Sequence, residues 1–371
     1  MTHFRAMKFP LALWAICLYP LFATADWDLR RFEGRDYVTL DSLAAFYGFP
    51  SPPALLDSSA TKPSVANLLP TPCTLLIVPV MVPGHEIFLD SGKQQLAFTL
   101  NSRQASINGA RCWLGFPVQA QDGKVLISRI DLAKILEPRL RPEKIENLRP
   151  VETVVLDPGH GGHDRGAISR LGFEKDFALD VAQRARVLLE KQGYKVVMTR
   201  SADIFVPLHE RAAIANRTAN SIMVSIHFND TATNRDARGF EIYTMAPRGA
   251  PATNDLRSTL ADLREDPGNA VEVPSAALAS SVYAALLGHI PNVDRGLKQA
   301  RFAVLRLCNV PATLVECGFV SHAGEVTLIN SPDWRAKLAE SIVDGIDGYK
   351  LLAEQGRTPR TVAEYRTGNA P

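Results

Sequence analysis

The amino-acid sequence predicts an α/β fold, a mostly parallel sheet with helices on both faces, preceded by a small α+β domain. Three observations carry this expectation. From residue 153 onward, short apolar strands alternate with amphipathic helical stretches, the pattern of repeated βαβ units. Several of those strands, "TVVLD" and "SIMVSIH" among them, are almost wholly apolar, as strands covered on both faces are. Before residue 143 the chain instead shows short alternating segments separated by hairpin signals.

A chain of 371 residues is longer than one ordinary domain, and 46% hydrophobic against 22% charged residues suffices for a sizeable core. The net charge of +2, with no basic stripe, argues against a nucleic-acid partner. Arg5 and Lys8 precede an apolar run that ends in Ala23-Thr24-Ala25, the pattern of a secretory signal peptide over residues 1–25. The run is shorter than the roughly 20 residues of a spanning helix, and no stable membrane span is expected after cleavage. Export permits disulfides. Cys73, Cys112, Cys308 and Cys317 would remain, with their pairing open and buried free thiols an equal alternative.

Residues 26–142 read as the small α+β domain. "DYVTL" is a short strand, and "DSLAAFYGF" a helix with Asp41 as its cap. Residues 50–72, rich in Pro and Ser, read as a long loop. The segments "TLLIVPVMV", "HEIFLD", "QLAFTL" and "QASINGARCWL" follow as strands, the last turning at Asn108-Gly109. Asp122-Gly123 leads into "KVLIS", and "RIDLAKIL" closes the unit as a helix. A polar, proline-punctuated linker is expected over residues 143–152.

Residues 153–352 then alternate. "TVVLD", "YKVVMTR", "SIMVSIH", "GFEIYTM", "FAVLR" and "PATLVECGF" are expected strands; residues 174–192, 208–220, 276–289 and 333–352 are expected helices. The polar residues 353–371 read as a disordered tail.

Metal-capable residues fall where open α/β sheets place their sites, at the carboxyl ends of strands. His160 follows the first strand in "VVLDPGHGG", His227 ends "IMVSIH", and Glu316 lies in "ATLVECGF". Glu174 begins the first helix. Each has a plain alternative: a turn at Asp157-Pro158-Gly159, a dipole-favoured acid at a helix start, a structural histidine. Glu316 is the hardest to dismiss, because a carboxylate within an apolar strand needs a partner or a metal. Walker and dinucleotide glycine patterns are absent, as is a G-x-S-x-G elbow. Two histidines and a glutamate match a three-ligand catalytic zinc site, with Glu316 left to move a proton.

Taken in order, "VVLDPGHGGHDRGA", Glu174, "VVMTR", "PLHERAAIAN", "VSIHFN", "GFEIYT", "LKQARFAVLR" and "PATLVECGFVSHAGE" resemble the zinc-dependent N-acetylmuramoyl-L-alanine amidase family, type 3. The resemblance covers about residues 151–350. It implies Zn2+ held by His160, Glu174 and His227, with Glu316 as the catalytic glutamate. It also implies hydrolysis of the amide between N-acetylmuramic acid and L-alanine in peptidoglycan. Ser321-His322 departs from the family's usual Ser-Asn, and His163 receives no ligand role.

Asn229, Lys298 and Gln299 are candidates for substrate binding, the last two placed just before "FAVLR". Arg211 reads as a structural ion-pair partner rather than a substrate contact. Residues 246–274 form an excursion in which a short helix, with Asp262 or Glu265 turned toward the metal, would make an autoinhibitory lid. A solvated surface loop is the simpler reading of that segment. Through "GRDYVTLDSLAAFYGF" and "NGARCWLGFPV", the first domain resembles the stalk domain named for copper amine oxidases, which implies positioning on the wall or on a partner.

The expected protein is therefore an exported peptidoglycan amidase of the periplasm, with a protein activator left open. Two alternatives remain at this point: a zinc peptidase or carboxypeptidase acting on the stem peptide, and a non-catalytic cell-wall-binding protein.

Overall fold

The structure, a computed structural model, describes residues 26–52, 86–255 and 257–368. The expected signal peptide, Cys73 and the segment "TLLIVPVMV" lie outside the described residues. The N-terminal part contains β1 (Leu29–Phe32), β2 (Arg35–Thr39), α1 (Leu40–Tyr47), β3 (Glu86–Asp90), β4 (Gln95–Thr99), β5 (Gln104–Ile107), β6 (Ala110–Trp113), β7 (Gln119–Gln121) and β8 (Lys124–Ser128). The α1 helix is capped by the Thr39 side chain, with Asp41 in its first turn rather than at the cap. Both hairpin signals are realised. Asn108 and Gly109 have φ of 49° and 81°, and Asp122 and Gly123 have 50° and 74°, the left-handed pairs that suit two-residue hairpins.

Helical turns α2 (Arg129–Asp131) and α3 (Glu137–Leu140), joined by a π turn, lead out of β8. Next come β9 (Thr153–Pro158), β10 (Ile168–Ser169), β11 (Gly172–Phe173), α4 (Glu174–Lys191), β12 (Lys195–Met198), α5 (Leu208–Arg217), β13 (Ser221–Asn229) and β14 (Phe240–Met245). The remaining elements are α6 (Glu272–His289), β15 (Asp294–Ala300), α7 (Ala303–Arg306), β16 (Ala312–Phe319), α8 (Ala323–Asn330), α9 (Pro332–Gln355) and α10 (Val362–Thr367).

One ten-stranded sheet dominates, in the order β12-β9-β13-β16-β14-β15-β6-β5-β4-β3. It is mixed: β12, β9, β13 and β16 run parallel, and β14 pairs antiparallel with β16. Alternate residues of β9 serve opposite faces. Val154 and Leu156 join a core with Phe177, Val181 and Leu189 of α4, whereas Val155 joins a second core with Ala215 of α5 and Val304 of α7. Helices thus cover both faces, as the apolar strands require.

The expected division at residue 142 cuts through this sheet. β3 to β6 are antiparallel hairpins that extend it, and β6 joins β15 in parallel where Cys112 faces Leu297. Of the described N-terminal strands, β1, β2, β8 and β7 form a separate sheet. A bridge between strands more than 180 residues apart leaves no local trace in the sequence.

Residues 353–371 read as a disordered tail in the sequence, but α9 runs to Gln355 and α10 packs Val362 and Tyr365 into the main core. Thr361 and Glu364 form a capping box that starts α10, a signal hidden within a polar stretch. The run "FAVLR" is not a strand: β15 ends at Ala300, and Ala303–Arg306 is a helical turn. Five apolar-rich residues do not distinguish the two.

Cys112, Cys308 and Cys317 are buried free thiols, so no Cys308–Cys317 disulfide forms. By length and composition the helical stretch Pro267–His289 is apolar enough to cross a membrane, but 78% of that window is buried inside the protein, largely against α9 and the sheet.

Candidate active site

The turn "DPGHGG" is built on a buried charge. Asp157, the penultimate residue of β9, accepts hydrogen bonds from Thr199 Oγ1 (2.5 Å), Ser225 Oγ (2.7 Å) and Arg211 Nη1 (2.8 Å). Arg211 also donates to the carbonyls of Pro158 (2.7 Å) and His160 (2.6 Å). Arg200, equally buried, donates to those of Pro158 (2.9 Å) and Gly159 (2.7 Å). Two guanidinium groups therefore hold three successive carbonyls, and His160 sits in the left-handed region at φ 59°. Arg211 is the structural ion-pair partner that its motif suggested.

That geometry brings His160 to Glu174 and His227. His160 Nε2 lies 3.1 Å from Glu174 Oε2, and His227 Nδ1 lies 2.9 Å from Glu174 Oε1. Glu174 is almost fully buried in the first turn of α4, where the helix dipole favours a carboxylate. Its oxygens also accept from the backbone amides of Ala167 (2.8 Å) and Phe228 (3.0 Å). Burial opposes the charge on Glu174, but the hydrogen bonds from His160 and His227 outweigh it and hold the carboxyl well below its usual range. For His160, burial pulls toward the neutral ring, while Glu174 and Asp164 raise its pKa above the ordinary value.

Among the described residues these three form the one group whose donor atoms fit a metal ion, all lying within 4.8 Å of one another. Two imidazole nitrogens and a carboxylate oxygen suit zinc. The surrounding backbone is shaped to leave them room. A Cβ on Gly166 (φ 64°) would stand 2.5 Å from Glu174 Oε2 and 2.6 Å from the His160 ring, and one on Gly159 would stand 2.3 Å from the His227 ring. Asp164 completes the arrangement from outside: its Oδ2 lies 2.9 Å from His160 Nδ1, leaving Nε2 facing Glu174. Sequence reasoning missed Asp164, although an acid four residues after His160 is a readable signal.

Glu316 stands beside this group by strand register. It lies opposite His227 on the parallel pair β13–β16, and opposite Glu241 on the antiparallel pair β16–β14. Its Oε2 is buried with no hydrogen-bond partner. Burial, then the charges of Glu174 and Glu241, push the Glu316 carboxyl well above its ordinary range, with Lys298 opposing. An enclosed, unpartnered carboxyl oxygen at such a place is suited to exchanging a proton with a reacting group.

A cleft opens at Glu316, lined also by Asn229, Thr231, Glu241, Tyr243, Asn254, Arg295, Lys298, Phe302 and Phe319. Asn229 donates through Nδ2 to Glu241 Oε2 (3.0 Å), and Lys298 Nζ donates to Glu241 Oε1 (2.7 Å). Arg295 and Tyr243 bind the same carboxylate, at 2.6 and 2.7 Å. Burial opposes ionisation of Glu241, but Lys298, Arg295 and Tyr243 outweigh it and hold its pKa below the ordinary value. Asn229 and Lys298 are thus cleft residues, whereas Gln299, a neighbour of Lys298 on β15, is buried and bonds to Thr253. Glu241 and Arg295 were not foreseen; their roles come from cross-strand pairing, which a linear reading does not show.

The excursion over residues 246–274 does not bring its acids to the metal group. Asp262 pairs with Arg301 (2.9 Å) and accepts from the Thr259 amide (2.6 Å) in the capping box of a single 3-10 turn, Leu260–Leu263. Glu265 pairs with Arg248 at the surface (2.9 Å). Both carboxylates have nearby basic partners, so neither is placed as the lid expectation required.

Comparison with known proteins bears on what this arrangement serves. The N-acetylmuramoyl-L-alanine amidase family (Amidase 3) matches residues 154–348, more than half of the chain. The chain belongs to this family. The amidase AmiA of Escherichia coli is 30% identical over 273 residues, covering 68% of this chain and 92% of AmiA. The amidase AmiC of another Escherichia coli strain is 34% identical over 244 residues, covering 59% of this chain. Its match takes in 58% of AmiC, and that to AmiC of Neisseria meningitidis takes in 53%, so the chain spans little more than half the length of these relatives. Among solved structures, the amidase AmiC2 of Nostoc punctiforme is 34% identical, covers 53% of this chain and 96% of its own, and aligns with a TM-score of 0.44.

Proposed function

We propose that this amidase hydrolyses the amide joining the lactyl group of N-acetylmuramic acid to the L-alanine of the peptidoglycan stem peptide. The observation that carries the reading is the placement of Glu316 opposite His227, beside the His160–Glu174–His227 group, in a domain of the amidase family. Those three residues would hold zinc. Zinc bound there supplies a Lewis acid that brings a water's pKa near 7 and polarises a carbonyl.

The chain's own residues do the rest. Glu316 takes the proton of the attacking water at its unpartnered carboxyl oxygen and returns it to the leaving nitrogen. The products are a free lactyl carboxylate and a free L-alanine amino group. Asp164 fixes the His160 ring, and Arg211 and Arg200 fix the backbone that carries it. Asn229, Lys298 and Arg295 line the cleft in which the stem peptide lies. The sequence of residues 1–25 supports export, and we place the enzyme in the periplasm.

The test is digestion of purified peptidoglycan with and without a zinc chelator, followed by identification of new termini. Chelator-sensitive release of L-alanine amino groups is expected. New D-alanine or diamino-acid ends alone would show a peptidase instead, and no release would show a binding protein.

A further inference from the structure

We infer that the N-terminal hairpins buttress the wall of the catalytic cleft, and that Arg103 is a positioning residue for that wall. The inference rests on the proposed function only for the identity of the substrate.

β15 presents Arg295 and Lys298 to the cleft, and Asn254 contributes to the same lining. On the side away from β14, β15 is held by β6 of the N-terminal part. Trp113 Nε1 donates to the Arg295 carbonyl (3.0 Å), and the Arg111 amide donates to Asp294 Oδ2 (2.7 Å). The strand that carries two cationic cleft residues is therefore pinned from outside residues 153–352.

The second attachment is a fork. Arg103, between β4 and β5, is anchored by Nε to the Leu114 carbonyl (2.7 Å). Its Nη1 donates to the carbonyls of Thr253 (3.2 Å) and Asp255 (2.9 Å), and its Nη2 to that of Ala252 (3.2 Å). Asn254 lies within the stretch so gripped. Thr253 passes the contact to β15: its amide donates to the Gln299 carbonyl (2.8 Å), and the Gln299 amide donates to its Oγ1 (2.8 Å). One planar, five-donor cation thus holds three carbonyls of the excursion against the N-terminal part, and Thr253 links them to Gln299, the neighbour of Lys298. A lysine, with a single point of charge, cannot reproduce that geometry.

None of these contacts touches His160, Glu174, His227 or Glu316, which sit on the loop after β9 and on α4, β13 and β16. Loosening the fork therefore affects how substrate is held rather than how the amide is cut.

The test uses the full chain with Arg103→Ala and Arg103→Lys. Amide hydrogen exchange at Thr253 and Gln299 is expected to quicken in both variants while β9 and β13 stay protected. On a soluble muropeptide with an L-alanyl stem, KM is expected to rise several-fold with kcat and zinc content unchanged, and lysine to restore little of it. Unchanged exchange at Thr253 and Gln299 overturns the inference, as does a fall in kcat at constant KM. If the wild-type chain does not cleave the muropeptide, the amidase reading fails, and the exchange measurement still decides the role of Arg103.

Discussion

Arg211 and Asp157 form an ion pair 2.8 Å apart, closed to solvent beneath the loop that carries His160. The pair joins α5 to β9, and the same guanidinium grips the Pro158 and His160 carbonyls. Removing one member leaves a buried charge without its partner, which costs about 3–5 kcal/mol. Arg211→Met should therefore lower the urea unfolding free energy by that order and weaken zinc binding with it. A variant as stable as wild type would show that the pair does not organise the loop.

Asp164 touches the His160 ring from the side away from Glu174. Loss of such an outer partner typically costs about 10–100-fold in metal affinity. Asp164→Ala should show a loss of this size in a competitive zinc titration, with an unchanged melting temperature of the metal-free protein. Wild-type affinity would mean that the ring is oriented by other contacts.

Gly166 lies against both Glu174 and His160. An added methyl has no room there, and φ 64° disfavours any side chain. Gly166→Ala is expected to fold and to bind zinc substoichiometrically, as read by metal analysis after dialysis. Full zinc occupancy would contradict the packing described.

Asp131 is buried and caps the Gly115 and Phe116 amides, at 2.6 and 3.0 Å. Burial pushes its pKa up to about 7, against the hydrogen bonds from Gly115 and Phe116. A carboxyl whose folded pKa exceeds its unfolded value binds a proton more tightly when folded, so its contribution is present at low pH and lost as pH rises from about 4 through about 7. Wild type should lose stability across that window, and Asp131→Asn should lose less. Equal losses would contradict the assignment.

Much of the site was legible because its residues sit at strand and helix ends, where period and composition both speak. "VVLDPGHGG", Glu174, "VSIH" and "LVECGF" each announce a metal-capable group at the edge of an apolar run. The α/β alternation was legible for the same reason. What escaped the reading depends on distant pairing: Glu241 acquires its place from β16, Arg295 from β14, and β6 from a single bridge to β15. The helix α10 escaped because two buried residues, Val362 and Tyr365, are masked by charged neighbours. Asp262 finds its partner in Arg301, far along the chain, which a linear reading does not show.

The proposed division of labour gives Glu316 the proton and His160, Glu174 and His227 the metal. The direct test is Glu316→Gln, with zinc content and turnover of peptidoglycan fragments measured on the same sample. Wild-type zinc stoichiometry and a fall in turnover on the order of 10²–10⁴-fold are expected. Turnover near the wild-type rate in a zinc-loaded Glu316→Gln protein would contradict that division of labour.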